Sequence, residues 1–340
     1  MSKKIIFRVD GNSNLGLGHI FRCIALVEML KKKYDFFFLT RTDSELKVIS
    51  KHYNLILIPI SINICDEPEW INEKYSHNEY IIIIDGYKFN SEYQKNLKDK
   101  GFGLVFIDDL AEEKIFADIL INHSPNLSSK DFLKGSNKTK YALGLKYAIL
   151  RPGFLNATKK LKKLKNINEI FICFGGVDNL DLTNIVLEGI IDILSFKKIN
   201  IVLGASYSHK KIFNTVKKRT KDIFIYKNID EKKMIYLMNK CQLAIVPSST
   251  ILYEICSVKM LVLSGYYVDN QIKINTGFEL KKLIYNIGDL RKLQSNDFKL
   301  KVNEIISDTN KNHLSYINNQ NNSFDGKQSE RINKLISSIC

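Results

Sequence analysis

Several features that would place this 340-residue chain in a specialised class are scarce or missing. The chain has six cysteines, none of them in a Cys-x-x-Cys pair, so neither a disulfide framework nor a cysteine-based zinc site is predicted. Lys3 and Lys4 precede a short apolar run, Ile5 to Val9, which is too short for the apolar core of a secretory signal. No apolar run reaches the roughly 20 residues of a membrane-spanning helix. We therefore expect a reduced, cytoplasmic protein without stable membrane insertion.

Motifs for metal ions, cofactors and nucleic acids are missing as well. There is no Asp-x-Asp motif, and the histidines other than His19 show no metal-ligand spacing, so we expect no metal and no cofactor. Among them only His123 follows the end of a predicted strand. The formal net charge is +15, but the lysines are scattered and no basic-aromatic motif of nucleic-acid binding occurs. No nucleic-acid partner is predicted, and the charge favours anionic ligands.

Two well-known phosphate-binding loops are excluded near the N-terminus. Phe21 occupies the third glycine position of a dinucleotide fingerprint, and no Gly-Lys-Ser/Thr follows as in a P-loop. What is present is Gly16-x-Gly18-His19-x-x-Arg22, between a strand over 5–9 and a helix over 20–32. The glycines allow a ligand to approach the backbone, and the helix N-terminus offers N–H groups to an anion. His19 at this point supplies a side chain that can exchange protons near neutral pH.

Strands and helical patterns alternate throughout residues 1–154. The run Tyr80 to Ile84 is continuous and β-branched, as in a strand buried on both faces of a parallel sheet. Asp10 and the Asp85-Gly86-Tyr87 segment follow strand ends, where open α/β sheets bind their ligands. We predict a doubly wound, Rossmann-like N-terminal domain over 1–154.

The pattern restarts in residues 166–300 with a strand followed by Gly175-Gly176-Val177-Asp178. A later strand leads into Ser248-Ser249-Thr250 and a helix that contains Glu254. Hydroxyl groups and free N–H groups at a helix N-terminus suit a diphosphate, although a helix-capping box explains the same residues. A polar loop, Asp269-Asn270-Gln271, follows another strand. The sequence thus predicts two facing Rossmann-like domains, followed over 301–340 by an Asn-rich loop at 310–328 and a C-terminal helix at 331–339.

Five patches, in order, carry a resemblance to a known family. They are Gly16-x-Gly18-His19-x-x-Arg22-Cys23, Asp85-x-Tyr87, Gly144 to Phe154, Phe174-Gly175-Gly176-x-Asp178 with the Ser248-Ser249-Thr250 helix, and Asp269-Asn270-Gln271. Together they resemble the UDP-sugar hydrolases of pseudaminic acid biosynthesis, relatives of the two-domain glycosyltransferases of the B type. The chain departs from that pattern at Val258-Lys259, where the family has small residues and glycine.

The resemblance implies roles for individual residues. It implies that His19 orients or deprotonates a water molecule, that Tyr87 and Asn270 line the sugar or water pocket, and that Glu254 binds ribose hydroxyls. Asp10 is expected to hold His19 or the substrate, and Arg22 to pair either with a diphosphate or with Asp10. The remaining predicted substrate contacts are Gly16, Gly18, Gly175, Gly176, Ser248, Ser249, Thr250, Asp269 and Gln271.

Three functions follow as hypotheses. The first is a metal-independent, inverting hydrolase that releases UDP from UDP-2,4-diacetamido-2,4,6-trideoxy-β-L-altropyranose. The second is a B-type glycosyltransferase with the same UDP cleft and a hydroxyl acceptor, which the motifs alone do not separate from the first. The third is a nucleotide-sugar-binding module without turnover, and the presence of His19 beside a glycine loop argues against it.

Overall fold

The chain divides into two compact units. The computed structural model describes residues 3–12, 17–44, 47, 49, 51–160, 162, 166–217 and 222–340. The first unit consists of Met1–Pro152 and Lys327–Cys340, and the second of Gly153–Gly326. The region 301–340, predicted as a separate segment, is therefore shared between the two units.

The first unit is built around a parallel sheet. Its described strands are Lys4–Val9 (β1), Phe36–Arg41 (β2), Leu55–Ile58 (β3), Tyr80–Asp85 (β4), Gly103–Ile107 (β5), Lys114–Ile115 (β6), Ile119–Asn122 (β7), Leu133–Lys134 (β8) and Lys140–Leu143 (β9). Seven of them pair in the order β3-β2-β1-β4-β5-β7-β9, and β6 pairs with β8 alone. The longer helices of this part are Gly18–Leu30 (α1), Glu67–Lys74 (α2) and Ser91–Asp99 (α3).

Burial explains why β4 lies at the centre of this sheet. All four isoleucines from Ile81 to Ile84 are fully buried, and successive side chains of a strand point to opposite faces. A strand without a polar face is stable only where helices or loops cover both sides, as in a doubly wound sheet. The β-branched run therefore determines the position of the strand whose end carries Asp85.

The second unit repeats the plan with six parallel strands. They are Glu169–Ile172 (β10), Lys198–Leu203 (β11), Asp222–Lys227 (β12), Leu243–Pro247 (β13), Leu261–Tyr266 (β14) and Tyr285–Asp289 (β15), in the spatial order β12-β11-β10-β13-β14-β15. The helices are Pro152–Ala157 (α4), Leu182–Ile190 (α5), Lys211–Lys217 (α6), Glu231–Lys240 (α7), Thr250–Ser257 (α8), Asn270–Leu280 (α9), Ser295–Ser307 (α10) and Asn310–Ser323 (α11). The predicted α/β class with two Rossmann-like sheets is confirmed.

Each sheet has one point at which the strand order reverses direction. In the first unit this point lies between β1 and β4, and in the second between β10 and β13. The loops that leave neighbouring strands there turn to opposite faces, which opens a crevice at the carboxyl ends of the strands. The fold alone therefore indicates one candidate binding position in each unit.

The Asn-rich segment was predicted as a loop, and that prediction is wrong over most of its length. Helix α11 begins after Thr309, whose side chain accepts a hydrogen bond from the Asn312 backbone N–H. Ile317 and Gln320 are buried, and the Gln320 amide donates to the carbonyl oxygens of Met260 and Leu283. Tertiary contacts of a few side chains thus stabilise a helix whose composition is typical of loops.

The last helix, Gln328–Ile336 (α12), belongs to the first unit. Ser329 and Asn333 both donate to the carbonyl oxygen of Met29 at the end of α1, at 3.1 and 2.9 Å. None of the helices described is both long enough and apolar enough to span a bilayer.

Lys259 shows why its position favours glycine in the resembling family. The residue follows α8 with a positive φ of 60°, a conformation that is strained for most side chains. Its ammonium group is buried and donates to the carbonyl oxygen of Thr158 at 2.6 Å. A glycine would adopt this φ without strain. The lysine adopts it with strain, and its ammonium group makes a hydrogen bond within the second unit.

Candidate active site

The carboxyl edge of the first sheet holds a histidine bound to a buried carboxylate. His19 lies in the first turn of α1, and its Nδ1 is 2.7 Å from Oδ1 of Asp85 at the end of β4. Asp85 is fully buried, and the neighbouring Arg22 guanidinium holds the pKa of its carboxyl well below the ordinary range. An ionised carboxylate accepts the Nδ1 proton, so the Nε2 atom of His19 is left as an acceptor. Asp85 is therefore a candidate site residue, for which the sequence predicted a position at a strand end but no role.

Arg22 is occupied by two carboxylates. Its guanidinium donates to Asp85 through Nε at 2.8 Å and Nη2 at 2.5 Å. It also donates to Asp109, which follows β5, through Nη1 at 2.5 Å and Nη2 at 3.0 Å. The predicted pairing of Arg22 with Asp10 is therefore wrong, because α1 directs the side chain toward the ends of β4 and β5.

Asp10 has a different role from the predicted contact with His19. Its carboxylate accepts from Arg8 through two nitrogens at 2.7 and 2.9 Å, from the Thr40 hydroxyl at 2.9 Å and from the Arg41 backbone N–H at 2.9 Å. Despite burial, these partners lower the pKa of Asp10 to about 2. Arg8 is fully buried and is paired on its other side with Glu67. The structure thus gives Asp85, not Asp10, as the partner of His19; contact between Asp10 and substrate stays a prediction.

An aromatic wall and a pocket lie beside His19. The Tyr87 ring stands edge-on to the imidazole at 4.7 Å between centroids, and half of its surface is exposed. A pocket of about 120 Å³ opens next to them. Its lining includes His19, Tyr87, Phe89, Phe106, Asp108 and Asp109. The predicted neighbours His19 and Tyr87 are therefore together, with room for a small group beside them.

Two other titratable residues near this cluster are not suited to proton transfer at neutral pH. Burial, with a further contribution from the positive Arg22, lowers the pKa of His123 to about 4. Burial raises the pKa of the Cys23 thiol well above its ordinary value, and its Sγ lies 3.7 Å from the Asp85 carboxylate. His19 is thus the candidate base of this edge. Gly18 begins α1 with open space where a Cβ would stand, while Gly16 lies outside the described residues.

The second unit carries hydroxyl groups at its own strand edge. Ser248 is fully buried, and its hydroxyl contacts Ser264 and Asn275 at 2.9 Å each, which favours a structural role. Ser249 is the N-cap residue of α8, but its side chain makes no capping hydrogen bond, so the predicted capping box is wrong. Thr250, the first residue of α8, is exposed. Ser249 and Thr250 are therefore the two hydroxyl groups placed to meet a ligand.

A second helix start at this edge is already occupied by a carboxylate. Asp178 accepts from the backbone N–H groups of Leu182 and Thr183 at 2.9 Å each, and thus caps α5. An anion favours a helix N-terminus without a negative cap, so α8 is a better phosphate position than α5. Gly175, with a φ of +83°, and Gly176 have open space where a Cβ would stand. Both glycines leave their backbone accessible beside Asp178.

The remaining predicted residues differ in exposure. Glu254 is buried one turn inside α8, and Gln271 is buried with its Oε1 accepting from the Tyr267 backbone N–H at 3.2 Å. Asn270 begins α9 and is exposed, and Asp269 lies 3.5 Å from Arg291 in an exposed ion pair. Within the described residues no group of three His, Cys, Asp or Glu side chains could hold a metal ion. The five patches of the resemblance thus provide candidates in both units.

Comparison with solved structures defines the class of fold. MurG of Acinetobacter baumannii superimposes with a TM-score of 0.68, covering 99% of this chain and 100% of that protein at 11% identity. UGT89C1 of Arabidopsis thaliana gives a TM-score of 0.69 over the full length of both chains at 8% identity. At such identities the likeness shows the fold alone. The chain has the glycosyltransferase-B type of fold, with two Rossmann-like units.

Sequence comparison gives three particular relatives. An uncharacterized protein of Methanocaldococcus jannaschii is 29% identical over 262 residues, which are 74% of this chain and about half, 53%, of that protein. The UDP-2,4-diacetamido-2,4,6-trideoxy-β-L-altropyranose hydrolase of Campylobacter jejuni is 26% identical over 79% of this chain and 93% of its own. The spore coat polysaccharide biosynthesis protein SpsG of Bacillus subtilis is 28% identical over 75% of both chains. No family model matches the chain.

Proposed function

We propose that this chain is an enzyme that cleaves a UDP-sugar with water and releases UDP. The observation that carries the proposal is the 2.7 Å contact between His19 Nδ1 and the buried Asp85, which leaves Nε2 as a proton acceptor. The relative named as a UDP-sugar hydrolase and the glycosyltransferase-B type of fold support it. The first unit supplies the base, and the second unit binds the nucleotide.

The reaction proceeds by attack of water at the anomeric carbon. Nε2 of His19 takes one proton of the water as its oxygen forms the new C–O bond. The bond from the anomeric carbon to the diphosphate oxygen breaks, and its electron pair leaves with UDP. A proton acceptor positioned in this way contributes typically 10²–10⁴-fold to a rate. The N–H groups at the start of α8, with Ser249 and Thr250, stabilise the charge on the leaving diphosphate.

The substrate we propose is UDP-2,4-diacetamido-2,4,6-trideoxy-β-L-altropyranose, in the biosynthesis of pseudaminic acid. It is supported by the motif patches and by the name of the Campylobacter relative, which this chain matches over most of both lengths. The reaction inverts the configuration at the anomeric carbon and requires no metal. The cytoplasmic location expected from the sequence suits an enzyme of sugar-nucleotide metabolism.

Product analysis tests the proposal. The purified protein is incubated with this UDP-sugar, without an acceptor and with a chelator. We expect UDP and free sugar in equal amounts. Intact substrate, under conditions where UDP binds the protein, would contradict a hydrolase.

A B-type glycosyltransferase is the second candidate, because it has the same fold and the motifs alone do not separate it from a hydrolase. The same experiment separates the two functions. A transferase would leave the UDP-sugar intact until a hydroxyl acceptor is added, and would then form a glycoside in place of the free sugar. A binding module without turnover would leave the substrate intact in both cases.

A further inference from the structure

The four hydrogen bonds of Arg22 occupy both sides of its guanidinium. Asp85 takes up Nε and Nη2, and Asp109 takes up Nη1 and Nη2, at distances between 2.5 and 3.0 Å. The planar fork of arginine matches a carboxylate in this bidentate geometry, which lysine cannot reproduce. Only 12% of the Arg22 side chain is exposed. One of its five N–H donors, on Nη1, is not used in these bonds, so a diphosphate could be held in a bidentate geometry only by displacing a carboxylate.

The charges around His19 do not cancel. Arg22 contributes one positive charge, and Asp85 and Asp109 contribute two negative charges. Nη2 of Arg22 lies only 3.2 Å from Nδ1 of His19, so the arginine alone opposes a second positive charge on the imidazole. If Asp85 were the only counter-ion of Arg22, the charges of Arg22 and Asp85 would cancel. Asp109 makes the surroundings of His19 net negative, which favours the imidazolium that forms when His19 accepts a proton.

We propose that Arg22 and Asp109 are positioning residues for His19. Arg22 fixes the Asp85 carboxylate and, through it, the imidazole with its proton on Nδ1. Asp109 offsets the charge of Arg22 so that His19 can take up a proton from water. This inference rests on the proposed function of His19 as the base, and it replaces the expected role of Arg22 as a diphosphate ligand.

Charged and titratable groups from five parts of the unit face the cluster of His19, Arg22, Asp85 and Asp109. Helix α1 contributes Arg22 and Cys23, and the loop after β7 contributes His123. The others line the pockets beside His19 or follow β1, β4 and β5; they are Asp10, Asp85, Tyr87, Lys88, Asp108, Asp109, Glu112 and Glu113. Among these carboxylates, Asp85 and Asp109 accept hydrogen bonds directly from Arg22, and Asp109 is the one of the two that does not itself contact His19.

The test of Asp109 is a pH profile with a matched control. Asp109→Asn removes one negative charge, so we expect the acidic limb of the kcat/KM profile to move to lower pH by roughly 0.5–1 unit. KM at neutral pH should stay within about twofold, and kcat should fall about 3–10-fold. Asp118→Asn is the control, because Asp118 is also 27% exposed and also ion-paired, with Lys98 at 2.6 Å. A profile of Asp109→Asn that superimposes on wild type would overturn the proposal.

Arg22→Lys separates positioning from diphosphate binding. Lysine keeps the charge but cannot hold two carboxylates, so kcat should fall about 10–100-fold while the Kd of UDP stays within about twofold. Calorimetry with UDP measures the affinity. A large loss of UDP affinity with kcat retained at saturation would instead show that Arg22 binds the diphosphate.

A readout that needs no turnover distinguishes this inference from the proposed function. In ¹⁵N-labelled protein, the ring nitrogens of His19, assigned with His19→Asn, report which nitrogen carries the proton. We expect an Nδ1-protonated ring in wild type, and a titration of the ring at lower pH in Asp109→Asn but not in Asp118→Asn. An Nε2-protonated ring, or an unchanged titration, would overturn the inference. If the His19 ring is Nδ1-protonated and its titration shifts in Asp109→Asn, but no UDP-sugar is hydrolysed, the proposed function is wrong. The inference about Arg22 and Asp109 as positioning residues is then still supported.

Discussion

The two units share a topology but differ in the chemistry at the point where their strand order reverses. In the first unit this point carries His19, Arg22 and two carboxylates, linked by hydrogen bonds of 2.5–3.0 Å. In the second unit this edge carries glycines, hydroxyls and amides, among them Ser248 bonded to Asn275, and a carboxylate, Asp178, that caps α5. The topology of a Rossmann-like unit produces a crevice at the carboxyl ends of the strands, and the side chains at that edge determine which chemistry or binding it supports. We propose proton transfer for the first crevice and nucleotide binding for the second.

The largest effect should come from removing the base of the first unit. His19→Asn eliminates the proton acceptor but preserves a polar side chain beside Asp85, so kcat should fall about 10²–10⁴-fold. UDP affinity, which we assign to the second unit, should change less than about threefold. Steady-state kinetics and calorimetry measure the two quantities. His52→Asn, at an exposed position of the same unit, is the control, and unaffected turnover in His19→Asn would contradict the assignment.

A substitution in the second unit should weaken UDP binding and leave the chemical step nearly unchanged. Glu254→Gln weakens the proposed hydrogen bonds to ribose hydroxyls, and a hydrogen bond to a charged group contributes about 1.5–3 kcal/mol. We therefore expect the Kd of UDP to rise about 10–100-fold, with kcat at saturation changed only a few-fold. Calorimetry with UDP makes the measurement. Glu188→Gln, a carboxylate of the same unit paired with Lys211, should leave both quantities unchanged. A lower kcat in Glu254→Gln with unchanged UDP affinity would contradict the assignment of nucleotide binding to the second unit.

The smallest effect concerns stability at low pH. Asp10 has a pKa lowered to about 2 from an ordinary value of 3.8, because Arg8, Thr40 and the Arg41 backbone favour its ionised form. Its contribution, about 2 kcal/mol, is present above pH 4 and is lost as the pH falls through 2, since the unfolded chain binds the proton first. Asp10→Asn should therefore show a shallower loss of stability between pH 4 and 2 in urea unfolding. Parallel plots of stability against pH for wild type and Asp10→Asn would contradict a stabilising ion pair between Arg8 and Asp10.

Much of the fold could be predicted from the sequence because strands of a parallel sheet have a strong local pattern. The strand predicted over 5–9 corresponds to β1, Lys4–Val9, and the run predicted as a buried strand over 80–84 corresponds to β4, Tyr80–Asp85. Helix α11 was missed, because its stability comes from tertiary contacts such as those of Gln320, and asparagine favours turns in isolation.

The candidate site could be predicted only in part. The proximity of His19 and Tyr87 follows from their positions after β1 and β4, which are neighbours in the sheet. Asp10, which is close in sequence to His19, was predicted to hold either His19 or the substrate. Which of two carboxylates at neighbouring strand ends meets the imidazole depends on side-chain directions, and Arg8 already engages Asp10. The signal that could have found Asp85 was its position directly before Gly86-Tyr87, in the patch shared with the resembling family.

The most direct test of the account is the fate of the oxygen from water. The enzyme is given UDP-2,4-diacetamido-2,4,6-trideoxy-β-L-altropyranose in H₂¹⁸O, and both products are examined by mass spectrometry at early times. We predict ¹⁸O in the anomeric hydroxyl of the released sugar and unlabelled UDP, because water activated by His19 attacks the anomeric carbon. Label in the β-phosphate of UDP would show attack at phosphorus and would contradict the mechanism.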